Sequence, residues 1–153
     1  MQGEEAQEVQ EVQRRIQERL AVLQQLRAES EAVQRRIIEI ELVQSELDKT
    51  IESLEYFNSL EGNVEALMNL GGGVFAYVDV KESKKMLVDV GAGVIAEKEV
   101  GEAIETLKKR KERLSETVTK LEQLLEQIMS QAEKLQMEIA QMAKAVEEGQ
   151  EKR

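Results

Sequence analysis

The stretch LGGGVFAYVDV, residues 70–80, interrupts a chain whose other long segments are charged and helical in character. Three consecutive glycines follow the apolar run VEALMNL and precede alternating β-branched and aromatic residues. Glycine supplies the positive φ of a tight reversal, and the alternation in VFAYVDV is typical of a strand with one buried face. The stretch therefore predicts a strand, a glycine turn and a second strand.

The same pattern returns twenty residues later in VGAGVIAEKEV, residues 90–100, after the run KMLVDV. The segment KESK (81–84) links the two copies, and Val100 belongs both to the second copy and to the helical pattern that follows. Two hairpins of about 35 residues bury too little surface to be stable alone and leave apolar edges exposed. We expect them to complete a β-barrel with strands of other chains; a self-contained cap is the alternative. The turn glycines are Gly71, Gly73, Gly91 and Gly93.

Both flanks of this segment carry a seven-residue repeat of apolar side chains. Eleven of fourteen seam positions between Val9 and Leu54 are apolar, as are thirteen of fourteen between Val100 and Val146. A 3.5-residue spacing held this long indicates a coiled coil, and arms of equal length predict an antiparallel hairpin with Val9 beside Val146. Polar residues in a seam weaken packing but set register. The seam is interrupted by Arg19, Ser30, Gln44 and Lys111.

These patterns together predict an α+β fold, a long antiparallel coiled-coil hairpin with two β-hairpins between the helices that join an inter-subunit β-barrel. The expected domains are a helix over residues 1–60, β-hairpins used for oligomerisation over 61–98, and a second helix over 99–153. The second helix has a weak start, because Gly101 lies in its first turn and no Ser, Thr, Asp or Asn cap is nearby.

The composition excludes several classes of function. A net charge of −10 and a pI near 4.7 make the chain repel nucleic acid and anionic lipid. No segment approaches the ~18 consecutive apolar residues of a membrane span, and the acidic N-terminus MQGEEAQEVQ is unlike a signal peptide. The absence of cysteine excludes disulfides. We expect a cytoplasmic protein with no nucleic-acid or membrane partner.

Catalytic chemistry has few side chains available. Without His or Cys, the usual bases, thiol nucleophiles and zinc ligands are missing. LGGGV and VGAGV lack the Lys-Ser/Thr of a P-loop and the G-x-G-x-x-G of a dinucleotide site. Four carboxylates near the hairpins suit a hard cation, but a solvated surface explains them better: Glu61, Glu65, Asp79 and Asp89. The sequence predicts no enzyme, no metal site and no cofactor.

Two further features leave alternatives. The basic run KKRKER (108–113) could be a docking patch or a nuclear signal, but its spread around a helix among acidic neighbours favours a solvated face. The apolar residues at the free ends of the arms have two interpretations. They either continue the coiled coil, or the two helices separate there and expose a deformable, Met-containing apolar surface to partners. These tip residues are Val9, Val12, Ile16, Leu20, Met137, Ile139, Met142 and Val146.

The order of these motifs resembles that of the α-type subunits of archaeal prefoldin. The resemblance covers essentially the whole chain. In chain order it consists of a coiled-coil arm, LGGGVFAYV, VDVGAGVIAEKEV and then EAIETLKKR at the start of another arm. The most specific part of the resemblance is VGAGVIAEKEVGEAI, residues 90–104, where the last strand enters the second helix. One departure is LGGG, where that family more often has a glycine–alanine–glycine pattern; both serve the turn.

The resemblance implies an ATP-independent chaperone that holds unfolded client proteins at its tips and passes them to a group II chaperonin. It also implies a hetero-hexamer in which two α-type and four smaller β-type subunits join through β-barrels, with the tip residues as client contacts. The alternative is a structural coiled-coil oligomer or filament scaffold without clients. The residues expected in the barrel or at the oligomer interface are Val74, Phe75, Val78, Leu87, Val88, Val94 and Ile95.

Overall fold

The computed structural model describes the backbone of residues 1–151 and the side chains of residues 1–150. Strand β4 passes into helix α2 without a linker, as predicted for Val100. Residues 152 and 153 of the predicted second helix lie outside the described residues. In chain order the elements are α1 (Gln2–Ser59), β1 (Val64–Gly71), β2 (Val74–Val80), β3 (Lys85–Gly91), β4 (Val94–Glu99) and α2 (Val100–Glu151).

The chain divides into two compact units. The first unit comprises Met1–Glu39 and the chain from Thr117 onward, and the second comprises Ile40–Glu116. Each unit contains a segment of α1 paired with a segment of α2, and the second unit also contains both β-hairpins. The predicted fold class is thereby confirmed in its two packed helices and its two intervening β-hairpins.

The predicted coiled-coil seam is present on both helices. All fourteen predicted positions of α1, from Val9 to Leu54, are buried or half-buried, and every other residue in that interval is exposed. The fourteen predicted positions of α2 are covered as well. Three of the four polar seam residues bind across the seam and so fix the local register. Arg19 pairs with Glu138 at 3.0 Å, Lys111 pairs with Asp48 at 2.5 Å, and Gln44 donates to Ser115 Oγ at 2.8 Å.

The two copies of the glycine pattern form two separate antiparallel sheets, β1 with β2 and β3 with β4. Three successive residues at each turn have positive φ. A side chain just before each turn supports it: the Asn69 Oδ1 accepts from the Gly71 N–H at 2.8 Å, and the Asp89 Oδ1 accepts from the Gly91 N–H at 2.9 Å. The twenty-residue repeat therefore holds in geometry as well as in sequence.

One apolar cluster in the second unit joins the two helices to the second hairpin. Its most buried members are Val100 and Ala103, which are 1% and 0% exposed. Met86 and Val88 of β3 pack against it, so that one face of the second hairpin is covered. The remaining members are Ile51, Leu54, Ile104 and Leu107. This core cluster holds the hairpin in place mainly by excluding water from apolar surface.

Lys84, in the linker between the hairpins, contacts the ends of both helices. Its ammonium group donates to the Asn58 carbonyl in the last turn of α1, where the helix has no basic residue of its own. Its carbonyl accepts from the Val100 N–H at 2.9 Å, at the start of α2. Both contacts satisfy groups that a helix leaves unpaired at its ends. A linker carbonyl thus takes the place of the missing side-chain cap on α2.

Gly91→Ala is expected to lower the free energy of unfolding by about 1–3 kcal/mol, because φ at Gly91 is +122°, where side-chain-bearing residues are strained. Gly72→Ala is the matched control, since its φ of +59° is close to the +51° of Ala92 in the other turn. A Cβ added at either glycine meets no atom within 4 Å, so any difference reports backbone strain. Thermal unfolding followed by circular dichroism measures it, and equal melting temperatures would contradict the prediction.

Candidate functional site

Tip residues from both helices line an open groove in the first unit. Val9 and Val12 of α1 and Met142 and Val146 of α2 line this tip groove, whose volume is about 760 Å³. The predicted proximity of Val9 and Val146 is confirmed. Small residues widen the groove: Ala6, Ala145 and Gly149. Apolar side chains form most of this lining, with the carboxylates of Glu5 and Glu8 and the guanidinium of Arg15 beside them, an arrangement suited to binding an apolar segment.

The eight tip residues differ in their exposure. Leu20 and Met137 lie off the seam and are 36% and 59% exposed. The other six are half-buried, so the seam can offer a partner only the surface that the opposite helix leaves open. These six are Val9, Val12, Ile16, Ile139, Met142 and Val146.

Charged side chains beside the tip residues of α1 pair with one another. Arg14 donates to Glu11 at 2.7 Å and to Glu18 at 3.2 Å, and Arg15 lies 3.5 Å from Glu11. The hydrogen bond from Arg14 lowers the pKa of the Glu11 carboxyl, and the same bond raises the pKa of the Arg14 guanidinium. The polar flank of this helix therefore stays ionised and solvated beside the apolar groove.

The β-hairpins present a second candidate site. Five of the seven predicted interface residues are exposed, on the outward strand faces or beside the turns. Val78 and Val88 instead lie on the half-buried faces, and Val88 packs against the core cluster. Strand alternation thus divides the predicted set between a covered face and an open one. The five exposed residues are Val74, Phe75, Leu87, Val94 and Ile95.

Two exposed residues of the first hairpin were not among the predicted interface positions. Tyr77 is 88% exposed and Leu67 is 60% exposed, and they are direct cross-strand partners. With Phe75 they form one outward apolar patch, of the kind that marks interaction surfaces. The signal for it was present in the sequence, because Phe75 and Tyr77 alternate with Ala76 and Val78 and so share a strand face.

The basic run at 108–113 takes part in internal contacts. Arg110 donates to the Asp89 carbonyl of the second hairpin, and Lys111 pairs with Asp48 of α1. The run therefore helps to hold the second hairpin and α1 against α2, a role that the expectation of a solvated face did not include.

The acidic residues near the hairpins do not form a metal site. Among the described residues, no group of three or more His, Cys, Asp or Glu side chains could hold a metal ion. Glu65 and Asp79 are cross-strand partners in the first hairpin, whereas Asp89 supports the turn of the second. None of the helices within residues 1–151 combines the length and hydropathy needed to cross a membrane.

Comparisons with known proteins agree on one family. Residues 26–145 match the family model described as Prefoldin subunit. A prefoldin subunit alpha from Archaeoglobus fulgidus is 55% identical over 125 residues, which cover 82% of this chain and 91% of the relative. A prefoldin subunit alpha from Thermofilum pendens is 36% identical over 104 residues, which cover 68% of this chain and 78% of the relative.

A solved structure shares the fold. A chain in the cryo-EM structure of filamentous PFD from Methanocaldococcus jannaschii superposes with a TM-score of 0.69 at 22% sequence identity. The match covers 76% of this chain and 96% of that one. The arrangement of two long helices and intervening hairpins is therefore retained at low sequence identity.

Proposed function

The chain belongs to the prefoldin family as an α-type subunit, and we propose that it acts as an ATP-independent holdase that captures unfolded proteins at its tip residues and passes them to a group II chaperonin. Membership of this non-enzymatic family confirms the prediction that the chain is not an enzyme. The observation that carries the proposal is the tip groove, where apolar side chains of both helices remain open to solvent. Weak contacts from several tips reinforce one another through effective concentration, so each stays reversible.

We further propose that the outward strand faces join this chain to smaller β-type subunits in a cytoplasmic hetero-hexamer. Each hairpin is a two-stranded sheet with unpaired edges, which strands of another subunit can complete. Tyr77 and Phe75 supply large apolar surface for such a contact. A net charge of −10 opposes binding to nucleic acid or anionic membranes, so neither is proposed as a partner.

Val9→Ser combined with Met142→Ser is expected to weaken suppression of aggregation about thirtyfold, because each truncation removes about 1 kcal/mol of apolar contact from the tip groove. The measurement is light scattering of a chemically unfolded test protein without ATP. The additive is the complex purified from its native host through a tag on this chain, so that its partners are present.

Gln10→Ser with Gln141→Ser provides the matched control for the tip variant. Both glutamines are exposed neighbours of the substituted residues, so their loss leaves the groove intact. A second variant lacks residues 1–18 and 137–153 and removes all the tip residues except Leu20. If either tip variant forms a complex of normal size and still suppresses aggregation fully, the holdase proposal is wrong.

A scaffold without clients is the second candidate function. It is favoured by one observation, the similarity in fold to a chain of filamentous PFD. A scaffold should lengthen with protein concentration when viewed by electron microscopy and should not protect an unfolded protein. Suppression that depends on the tip residues in an assembly of fixed size would favour the chaperone.

A further inference from the structure

The coiled-coil seam of the first unit contains a small side chain from each helix, in layers on either side of Leu26 and Ile128. Ser30 occupies a seam position of α1, and Ala132 is the smallest apolar residue in the seam of α2. Within the side chains that the structure describes, Ser30 makes no hydrogen bond across the seam, unlike Arg19, Gln44 and Lys111. In the register that sets Val9 beside Val146 and Gln44 beside Lys111, Ser30 faces Leu125 and Ala132 faces Leu23. Each of these two layers therefore contains one small side chain.

Both small side chains line a groove of about 760 Å³, separate from the tip groove. Its apolar surface comes from both helices. Met129 is 56% exposed, although its neighbour Ile128 is only 6% exposed. We name it the mid-seam groove; its apolar and small lining residues are Leu26, Ser30, Leu125, Ile128, Met129 and Ala132.

The rim of the mid-seam groove is acidic. Glu122, Glu126 and Glu133 line it and are opposed by a single cation, Arg27. Spacings of four, three and four residues place Glu122, Glu126, Met129 and Glu133 on one face of α2. Within the described part of the chain, none of these three carboxylates has an ion-pair partner. Like charges at this spacing repel each other, and a bound cation would relieve that repulsion.

We propose that the mid-seam groove is a second client subsite, selective for unfolded segments in which an apolar residue is flanked by Lys or Arg. The proposal rests on the proposed holdase function and adds a charge preference to it. The apolar residue of the client occupies the groove beside Ser30 and Ala132, and the flanking cations approach the three carboxylates. The tip groove is lined by two carboxylates, Glu5 and Glu8, beside Arg15, so its preference for cationic segments is expected to be weaker.

Binding of two labelled peptides to the purified complex tests the proposal by fluorescence anisotropy. One peptide is unstructured and alternates Leu with Lys; the other has Glu in place of every Lys. The triple variant Glu122→Gln, Glu126→Gln, Glu133→Gln is expected to bind the Lys peptide about fivefold more weakly and to lose the salt dependence of that binding. Its affinity for the Glu peptide should not fall.

Ser30→Leu tests the groove independently of its charge. Leucine at this seam position packs against Leu125 and occupies part of the groove, so the Lys peptide should bind several-fold more weakly while the melting temperature of the complex rises. The control variant, Glu105→Gln, Glu112→Gln, Glu116→Gln, removes the same number of carboxylates from α2 outside the groove and should bind both peptides as the unaltered complex does.

Three outcomes would overturn the proposal. Equal affinity of the unaltered complex for the two peptides would exclude the charge preference. Unchanged binding of the Lys peptide in both groove variants, with weaker binding in Val9→Ser, Met142→Ser, would leave the tip groove as the client site and exclude the mid-seam groove. A change in the size of the complex on Ser30→Leu would assign the groove to contact between subunits. Failure of the unaltered complex to bind either peptide or to suppress aggregation would instead remove the holdase function as well.

Discussion

Tyr77→Glu combined with Phe75→Glu is expected to release the chain from its complex, with a loss of affinity of about a thousandfold. Both rings lie on the outward face of the first hairpin, and Tyr77 is 88% exposed in the single chain. A buried aromatic anchor contributes about 2 kcal/mol or more to an interface, so the loss of two accounts for an effect of this size. Each new carboxylate would also be desolvated against apolar strands of the partner.

Size-exclusion chromatography with light scattering on the co-purified complex measures this loss of assembly. The matched control exchanges the two rings, Tyr77→Phe with Phe75→Tyr, and should assemble normally because it keeps the aromatic surface. The helical content of the released chain should stay unchanged, since neither ring belongs to the core cluster. Assembly of the glutamate variant at normal size and affinity would exclude this face as the interface.

Ile104→Ala is expected to lower the free energy of unfolding by about 2–5 kcal/mol, the largest effect of a single substitution predicted for this chain. Ile104 is 7% exposed and packs in the core cluster with Val100 and Ala103. Its truncation removes apolar burial and leaves a cavity that the two helices cannot close without moving. Met86 and Val88 lose part of the surface on which they pack, so the second hairpin should become less protected.

Chemical unfolding of the complex measures the change in stability, and hydrogen exchange measures protection of β3. Leu124→Ala on the same helix is the matched control, because Leu124 is 43% exposed and lies outside the core cluster. We expect that control to cost no more than about 1 kcal/mol. If the two variants unfolded alike, the core cluster would not be the main support of the second hairpin.

The helices and their seam could be predicted from the sequence almost in full. Each predicted seam position is buried or half-buried, and the polar positions Arg19, Gln44 and Lys111 make the register contacts expected of them. A period of 3.5 residues is a local property of the chain, and it identifies the apolar stripe that a partner helix buries. Ser30 is the exception among the polar seam residues, because within the described part of the chain it makes no contact that sets the register. A small side chain in the sequence does not show whether a side chain of the opposite helix fills the space beside it.

The strand faces were predicted less well. The pattern of VFAYVDV places Phe75 and Tyr77 on one face and Ala76 and Val78 on the other, but both faces contain apolar side chains. Sequence alternation therefore could not show which face is covered. In the structure the smaller side chains are half-buried and the rings point outward, so Val78 lies on the covered side and Tyr77 lies with Phe75 on the open side.

The sequence by itself determined the two helices, the seam between them, the repeated hairpins and their glycine turns, because each depends on residues close together in the chain. The tertiary structure alone decided which strand face is covered, how Lys84 joins the ends of both helices, and where Ser30 and Ala132 open a groove. These features depend on which distant side chains meet. Apolar burial is non-directional, so periodicity identifies the surfaces to be buried without identifying the side chains that cover them.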